Sequence, residues 1–359
     1  DALYIMDWSY GKLYAVHLKP EGAGYSADLE EFMSASPLPV TDLVVSPKDK
    51  AMYVTIGGRK VQSGLYRITY TGSEDAAPST AKMDAAGVRL HALRRKLESY
   101  HGRQDPKAVE AAWPSLGHAD RFVRFAARIA IEHQPVATWQ DRALGEKDPR
   151  TALTALMALI RSAKGDMALQ PKIIGALNRI DFSSLKGLDR ATLLRNYWLL
   201  ISRFNPPDVA LVESVRKHLS PLFPLNDPGQ NRDLCEILVV LGDESVTGKA
   251  AHYVNDAPTQ EEQIDWARIL RHAKKGWTKE TRAGYFQWFL HAANYKGGAS
   301  FDLFINEIKA NALATMTEAE KAEIKDVLDA RPEMRAPSFT PKPLAYVKEW
   351  TLAELSKSL

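Results

Sequence analysis

The sequence predicts an α+β fold that is mainly α: a HEAT-like α-solenoid preceded by a partial β-propeller of about one and a half blades. Three observations predict it. Short runs rich in aromatic and β-branched residues fill the front of the chain and fit pleated strands. Within them a segment recurs after about 50 residues, the period of a propeller blade. From Val88 onward the apolar residues switch to helical spacing, punctuated by Pro and Gly clusters.

The strands follow from the repeat. Ala2-Leu3-Tyr4-Ile5 matches Ala51-Met52-Tyr53-Val54 at an offset of 49 residues. Gly11-Lys12-Leu13-Tyr14-Ala15-Val16 matches Ser63-Gly64-Leu65-Tyr66-Arg67-Ile68 at an offset of 52, so the second copy carries three extra residues, all in its loop. On this reading Leu3–Met6 and Lys12–Leu18 are the second and third strands of one blade, and Tyr25–Met33 is its outer strand. "PLPVTD" crosses to the next blade, whose first three strands are Leu43–Ser46, Met52–Ile56 and Gly64–Tyr70. One and a half blades cannot close a ring, and open sheet edges are a liability. Two outcomes are expected: a truncated piece of a longer propeller, which the strand-like opening "DALYIMDW" favours, or a small sheet packed on the helices.

Helices are expected at 88–101, 105–116, 119–132, 136–145, 148–163, 166–181, 187–204, 208–222, 229–241, 245–255, 259–274, 278–294, 299–314 and 317–329. Asp120, Asp148 and Asp189 are read as caps whose carboxylates take up free backbone N–H groups, with Pro149 at the favoured first position. Thr259 with Glu262 and Thr317 with Glu320 read as capping boxes. "Asp-Arg" or "Asp-Pro-Arg" recurs at 120, 148 and 189, with "Asn231-Arg232" as a weaker echo, in steps of 28, 41 and 42 residues. Paired helices at about 40 residues are the HEAT pattern, with "FVRFAARIAIEH" and "ALTALMALIRSA" as inner helices. The domain reading is 1–72 propeller blades, 73–87 linker, 88–329 helical repeats, and 330–359 a Pro-rich linker into a further domain, where Thr351 and Glu354 form another capping box.

Composition sets the class. With 45% hydrophobic and 25% charged residues the chain reads as an ordinary globular protein, and a net charge of +3 does not by itself argue for nucleic acid or membrane. No apolar run approaches the length of a membrane span. The single cysteine, Cys235 in "DLCEILVVLG", is expected to be a buried structural thiol. The nine histidines are scattered without His-x-His or His-x-x-x-His spacing, so no zinc site is written locally. "GGRKVQSG" lacks the phosphate-loop spacing and leads into a strand. The basic runs "RLHALRRKLESYHGR" and "RILRHAKKGWTKETR" read first as solvated helix faces, with an anionic partner in the groove as the alternative. The aromatic "GYFQWFLHAANY" reads as core, with a peptide-binding groove as its alternative.

The hairpin "DLVVSPKDKAMYVTIGGRKVQSGLYRITYTG", followed by "LHALRRKLESYH", helical repeats and the "VKEW" linker, resembles a group of large bacterial proteins. These are the membrane-bound or sorbosone/glucose-dehydrogenase-like proteins of planctomycetes and related bacteria, which join a propeller, HEAT-like repeats and usually a c-type cytochrome domain. The resemblance implies export to the periplasm and dehydrogenase chemistry on sugars or alcohols. For the parent protein it implies a PQQ-like quinone, Ca²⁺ and haem c, with none of these cofactors held by this chain. The sequence departs from the family in lacking most of the propeller and any Cys-x-x-Cys-His. Two functions are therefore carried forward: part of an oxidoreductase whose solenoid is an inter-domain scaffold, or a non-catalytic interaction module with a protein or peptide in its groove and no nucleic acid.

Equivalent propeller loops emerge on one rim, so Asp7–Gly11 and Gly57–Ser63 are expected side by side, near "SPLPVTD". Asp7, Trp8, Arg59, Lys60 and Gln62 are the candidate ligand-binding cluster, on loops held by a rigid scaffold. Arg59 and Lys60 suit the carboxylates of an acidic cofactor or substrate, and Asp7 offers one oxygen-donor group to Ca²⁺.

Overall fold

The computed structural model describes residues 2–58, 61–73, 83–204, 207–298 and 300–334. The expected capping box at Thr351 and the "VKEW" linker lie outside the described residues, as does most of the expected 73–87 linker. The chain is mainly helical, 54% helix against 15% strand, with two small antiparallel sheets. It forms two compact units, Asp1–Leu211 and Val212–Leu359, so the sheets group with the first helices.

The first sheet has the order β1 (Leu3–Asp7), β2 (Lys12–Glu21), β3 (Gly24–Ser34), and the second β4 (Val40–Val45), β5 (Met52–Gly58), β6 (Val61–Ile68). Every pairing is antiparallel. The two-residue side-chain period of a strand sends Met52, Val54 and Ile56 inward along β5. They meet Leu13, Leu38 and Val40 in one apolar cluster, flanked by Tyr4, Met33, Leu43 and Ile68, so both sheets bury their inner faces on one core. Burial of such side chains, at about 25 cal/mol per Å² of apolar surface, is what holds two sheets this small together.

Seven helices follow in the first unit: α1 (Ala85–Glu98), α2 (Ala108–Ala112), α3 (Arg121–Glu132), α4 (Gln140–Gly145), α5 (Pro149–Ser162), α6 (Gln170–Asn178) and α7 (Leu188–Arg203). Helix α1 starts ahead of residue 88 because Asp84 caps it, accepting from Gly87 N at 2.6 Å. Asp120 and Asp148 cap α3 and α5. Asp189 does not cap α7. The helix starts after Gly187, which takes φ 46°, and Asp189 falls in the first turn. Its carboxylate instead receives Arg150 of α5 at 2.7 Å.

The long helices of this unit pack in chain order: α1 on α3, α3 on α5, α5 on α7. The shorter α2, α4 and α6 pack beside them, α2 on α3, α4 on α5, α6 on α7. Alanine makes the close approach feasible. Ala126, Ala127 and Ala130 of α3 and Ala152, Ala155 and Ala158 of α5 are all buried. Polar cross-braces fix the steps. Glu132 bonds Arg161 at 2.8 Å between α3 and α5, and buried Asn196 of α7 donates to Leu153 O of α5 at 2.9 Å.

The second unit contains α9 (Pro228–Val240), α10 (Glu244–Ala250), α11 (Tyr253–Asp256), α12 (Gln260–Leu270), α13 (Lys279–Ala292), α14 (Phe301–Ala314), α15 (Glu318–Glu323) and α16 (Lys325–Asp329); α8 (Val209–Leu219) spans the boundary. Here α9 packs on α10 and α12, α12 on α14, and α13 on α11, α14 and α16. The single helix expected at 245–255 is two, and so is that at 317–329. Thr317 and Glu320 form their capping box, and Thr278 forms one with Thr281. At Thr259 the side chain takes the Glu262 N–H. Tyr285, Phe286, Trp288 and Phe289 are buried against one another at edge-on angles, the core role of "GYFQWFLHAANY". Cys235 is buried too, and burial, followed by the charge of Glu236, pushes its thiol well above the usual range.

Candidate functional site

The loop after β1 is shaped by Asp7, whose Oδ1 accepts the Tyr10 N–H at 3.0 Å, a side-chain turn typical of aspartate. That turn swings Trp8 over the end of β5. The Trp8 indole N–H donates to Gly57 O at 2.9 Å, across 49 residues of chain. A Cβ at Gly58 would stand 2.9 Å from Trp8 Cζ2, so the ring can lie flat on the strand only because that position is glycine. The two loops therefore adjoin, and the crossover after β3 borders them. Between the Trp8 loop and this crossover lies a cavity of about 240 Å³ walled by Trp8, Tyr10, Ser36, Pro37 and Pro39, with Val61 at its edge.

The candidate residues separate here. Asp7 and Trp8 shape one wall. Gln62 is exposed on β6, next to Val61, which does line the cavity. Arg59 and Lys60 lie outside the described residues. The described walls are aromatic and prolyl, with Trp8 half-exposed and Tyr10 79% exposed. Such surface suits binding by stacking and apolar contact. Ca²⁺ takes six to eight oxygens, from carboxylates, carbonyls and water. Among the described residues of this rim only Asp7 brings a carboxylate, and one of its oxygens already holds the Tyr10 N–H.

A second polar constellation ties the sheets to the helices. The turn between β2 and β3 delivers Ala23, fully buried, to the N-terminus of α3. Ala23 N donates to Asp120 Oδ2 at 2.7 Å, and the other carboxylate oxygen caps α3 by accepting from Phe122 N at 2.8 Å and Val123 N at 3.1 Å. From α1, Arg94 donates to Ala23 O. Gly24 lies against the Phe122 ring where a Cβ would collide, and Tyr25 meets buried His91 of α1 edge-on at 5.6 Å. Burial pushes the Asp120 carboxyl up, but the N–H groups of Ala23, Val123 and Phe122 outweigh it and hold the carboxyl below its ordinary range. The sequence marks Asp120 as a cap alone. Its partner stands 97 residues away, and no local signal joins the two.

Compared with models of known protein families, with curated proteins and with solved structures, the chain matches none.

Proposed function

We propose that this chain is a HEAT-type helical-repeat scaffold that carries a blade-type β module and works as an interaction or inter-domain module. The observation that carries the reading is the packing order of the first unit: α1, α3, α5 and α7 in succession, with α2, α4 and α6 beside them. Each helix then contacts near neighbours in sequence, as solenoid repeats do. The cross-braces Glu132–Arg161 and Arg150–Asp189 sit at successive steps of that row. The internal repeat of 49 to 52 residues supports a propeller origin for the sheets.

A second reading rests on the adjoining loops at Trp8 and Gly57. They favour a ligand-binding rim, as expected of a chain that resembles the sorbosone/glucose-dehydrogenase-like proteins. On that reading the chain is part of an exported sugar or alcohol dehydrogenase.

Engineered cysteine pairs test the scaffold. Pairs on α3 and α5, and on α5 and α7, cross-link, and a pair on α1 and α7 does not. Efficient α1–α7 cross-linking would replace the stacked row with a closed bundle. Dye-linked oxidation of a sugar and alcohol panel separates the two readings. Turnover by the purified chain, lost in Trp8→Ala, would favour the second.

A further inference from the structure

The C-terminal ends of α3 and α5 open on a cleft of about 600 Å³ lined by Glu132, His133, Pro135, Arg161, Ser162 and Lys164. Beside it lies a depression of about 380 Å³ bounded by Pro106, Val109, Glu110 and Thr138. The two depressions adjoin through Gln104, Gln134 and Pro135, which line both.

Charge is uneven along the groove they form. At the α5 end Glu132 is the only acid among the described lining residues, and it is shared by two guanidiniums, those of Arg128 and Arg161. Arg161 engages it through Nε alone, at 2.8 Å. Lys164 lines the same cleft, is exposed, and forms no ion pair among the described residues. These cations are not consumed by the helix ends. Arg203 donates to Arg161 O at 3.1 Å, Gln134 to Ala130 O at 2.9 Å, and the His101 ring meets Ala126 O at 2.8 Å. At the far end Glu110 is balanced by Arg142 at 2.8 Å, and Pro106 and Val109 offer apolar surface.

Lys164 also holds a backbone that lysine does not favour. Its φ is 51°, in the left-handed region that glycine adopts freely. A lysine kept there, lining the same cleft as an arginine that shares its one carboxylate with Arg128, is an outlier of the kind found where a side chain is needed.

We propose that this groove binds an extended acidic peptide of a partner protein, one carboxylate being held between Arg161 and Lys164. The proposal rests on the scaffold reading and names its partner class. A nucleic-acid backbone fits less well, because its evenly spaced phosphates need cations along the whole groove, and at the far end Arg142 and Arg103 are already paired with Glu110 and Asp105. A peptide can place its acids at one end and an apolar residue at the other.

The test uses the full chain and a fluorescein-labelled octapeptide with three glutamates, one leucine and no cation, followed by fluorescence anisotropy. The glutamate peptide binds at least tenfold more tightly than its glutamine counterpart, and added salt weakens it. Arg161→Gln and Lys164→Gly each weaken it at least fivefold, and Lys249→Ala in the other unit does not. Lys164→Gly removes the charge while suiting the backbone, and a thermal melt at or above that of the wild type shows the fold is kept. Equal binding of the glutamine peptide, no binding at millimolar peptide, or unchanged binding by the Arg161→Gln/Lys164→Gly double variant would overturn the proposal. So would preferential binding of an oligothymidylate that the same variants lose. The α3–α5 and α5–α7 cross-links report the scaffold independently, so their persistence alongside failed peptide binding rejects the partner and not the array.

Discussion

Asp120 is asked to do two jobs with two oxygens, and substitutions can take them away one at a time. Asp120→Ala removes both. The lost N-cap costs about 1 kcal/mol. The lost bond from Ala23 N to a charged acceptor costs about 1.5–3 kcal/mol, with the N–H left buried. The expected loss is therefore about 2.5–4 kcal/mol. Asp120→Asn is the more informative change. Its one oxygen can cap α3, as Asp120 Oδ1 does now, but its NH₂ then faces the Ala23 N–H, donor against donor. It should lose the anchoring share, about 1.5–3 kcal/mol, and keep most of the cap.

Urea unfolding gives the totals, and hydrogen exchange gives the location. In Asp120→Asn the amide of Ala23 should exchange much faster, while those of Phe122 and Val123 stay protected. The pH dependence has a fixed sign. The folded carboxyl lies below its ordinary value of 3.8, so its contribution is complete above about pH 4 and is lost as pH falls through the lower folded value. Asp120→Asn should lack that acid limb. Wild-type stability in Asp120→Asn with unchanged Ala23 exchange would refute the anchor and leave Asp120 a simple cap.

Other outcomes follow from single contacts. Gly58→Ala should displace the Trp8 indole, red-shift its fluorescence and cost about 1–3 kcal/mol, read by urea unfolding. His272 is held below its ordinary value of 6.5 by burial and then by Arg271, with Glu236 opposing, so its contribution to stability is full above that value and is lost as pH falls through the lower folded one. An NMR titration reads that shift, and His272→Gln should flatten the corresponding limb of the pH–stability curve. Cys235 should resist a thiol reagent at pH 8 in the native chain and react at once in denaturant, because burial raises its thiol.

What could be read from the sequence was what is written locally. The break before α5 is carried by adjacent Asp148 and Pro149, and that before α15 by Thr317 with Glu320, each within one turn of chain. The Thr278 box was missed because its second member is Thr281, where glutamate or glutamine is the usual signal. Asp189 departs from the expected cap because Gly187 opens α7 without a side-chain cap, which leaves the carboxylate to Arg150. The repeat leads one to expect the Trp8 and Gly57 loops side by side, and the indole N–H of Trp8 does reach Gly57 O. The bond itself was not legible, and neither were the prolyl walls. Nothing in either segment marks Ala23 and Asp120 as partners. That contact exists only once two sheets and two helices are in place.

The anchor also bears on how the sheets and the helices hold one another. On the scaffold reading proposed above, a helix at the end of a row has a neighbour on one side, and terminal repeats of such arrays need a polar or covered outer face to stay soluble. Helix α1 packs on α3, and the β2–β3 turn reaches both, through Arg94 and His91 on α1 and through Asp120 and Phe122 on α3. The contact is made at backbone level, by an N–H and a carbonyl of one buried alanine, so it demands a tight turn and small residues more than particular side chains. Gly22 supplies a left-handed φ of 57° at that turn, and Gly24 the room for the Phe122 ring. A module fixed in this way lays its hairpin against α1 and α3 and leaves its Trp8 loop open to solvent. Bracing α1 and α3 and presenting a loop are then two consequences of one fold. Loosening Asp120 should disturb the first far more than the second, so Trp8 fluorescence in Asp120→Asn should stay close to wild type while the Ala23 amide opens.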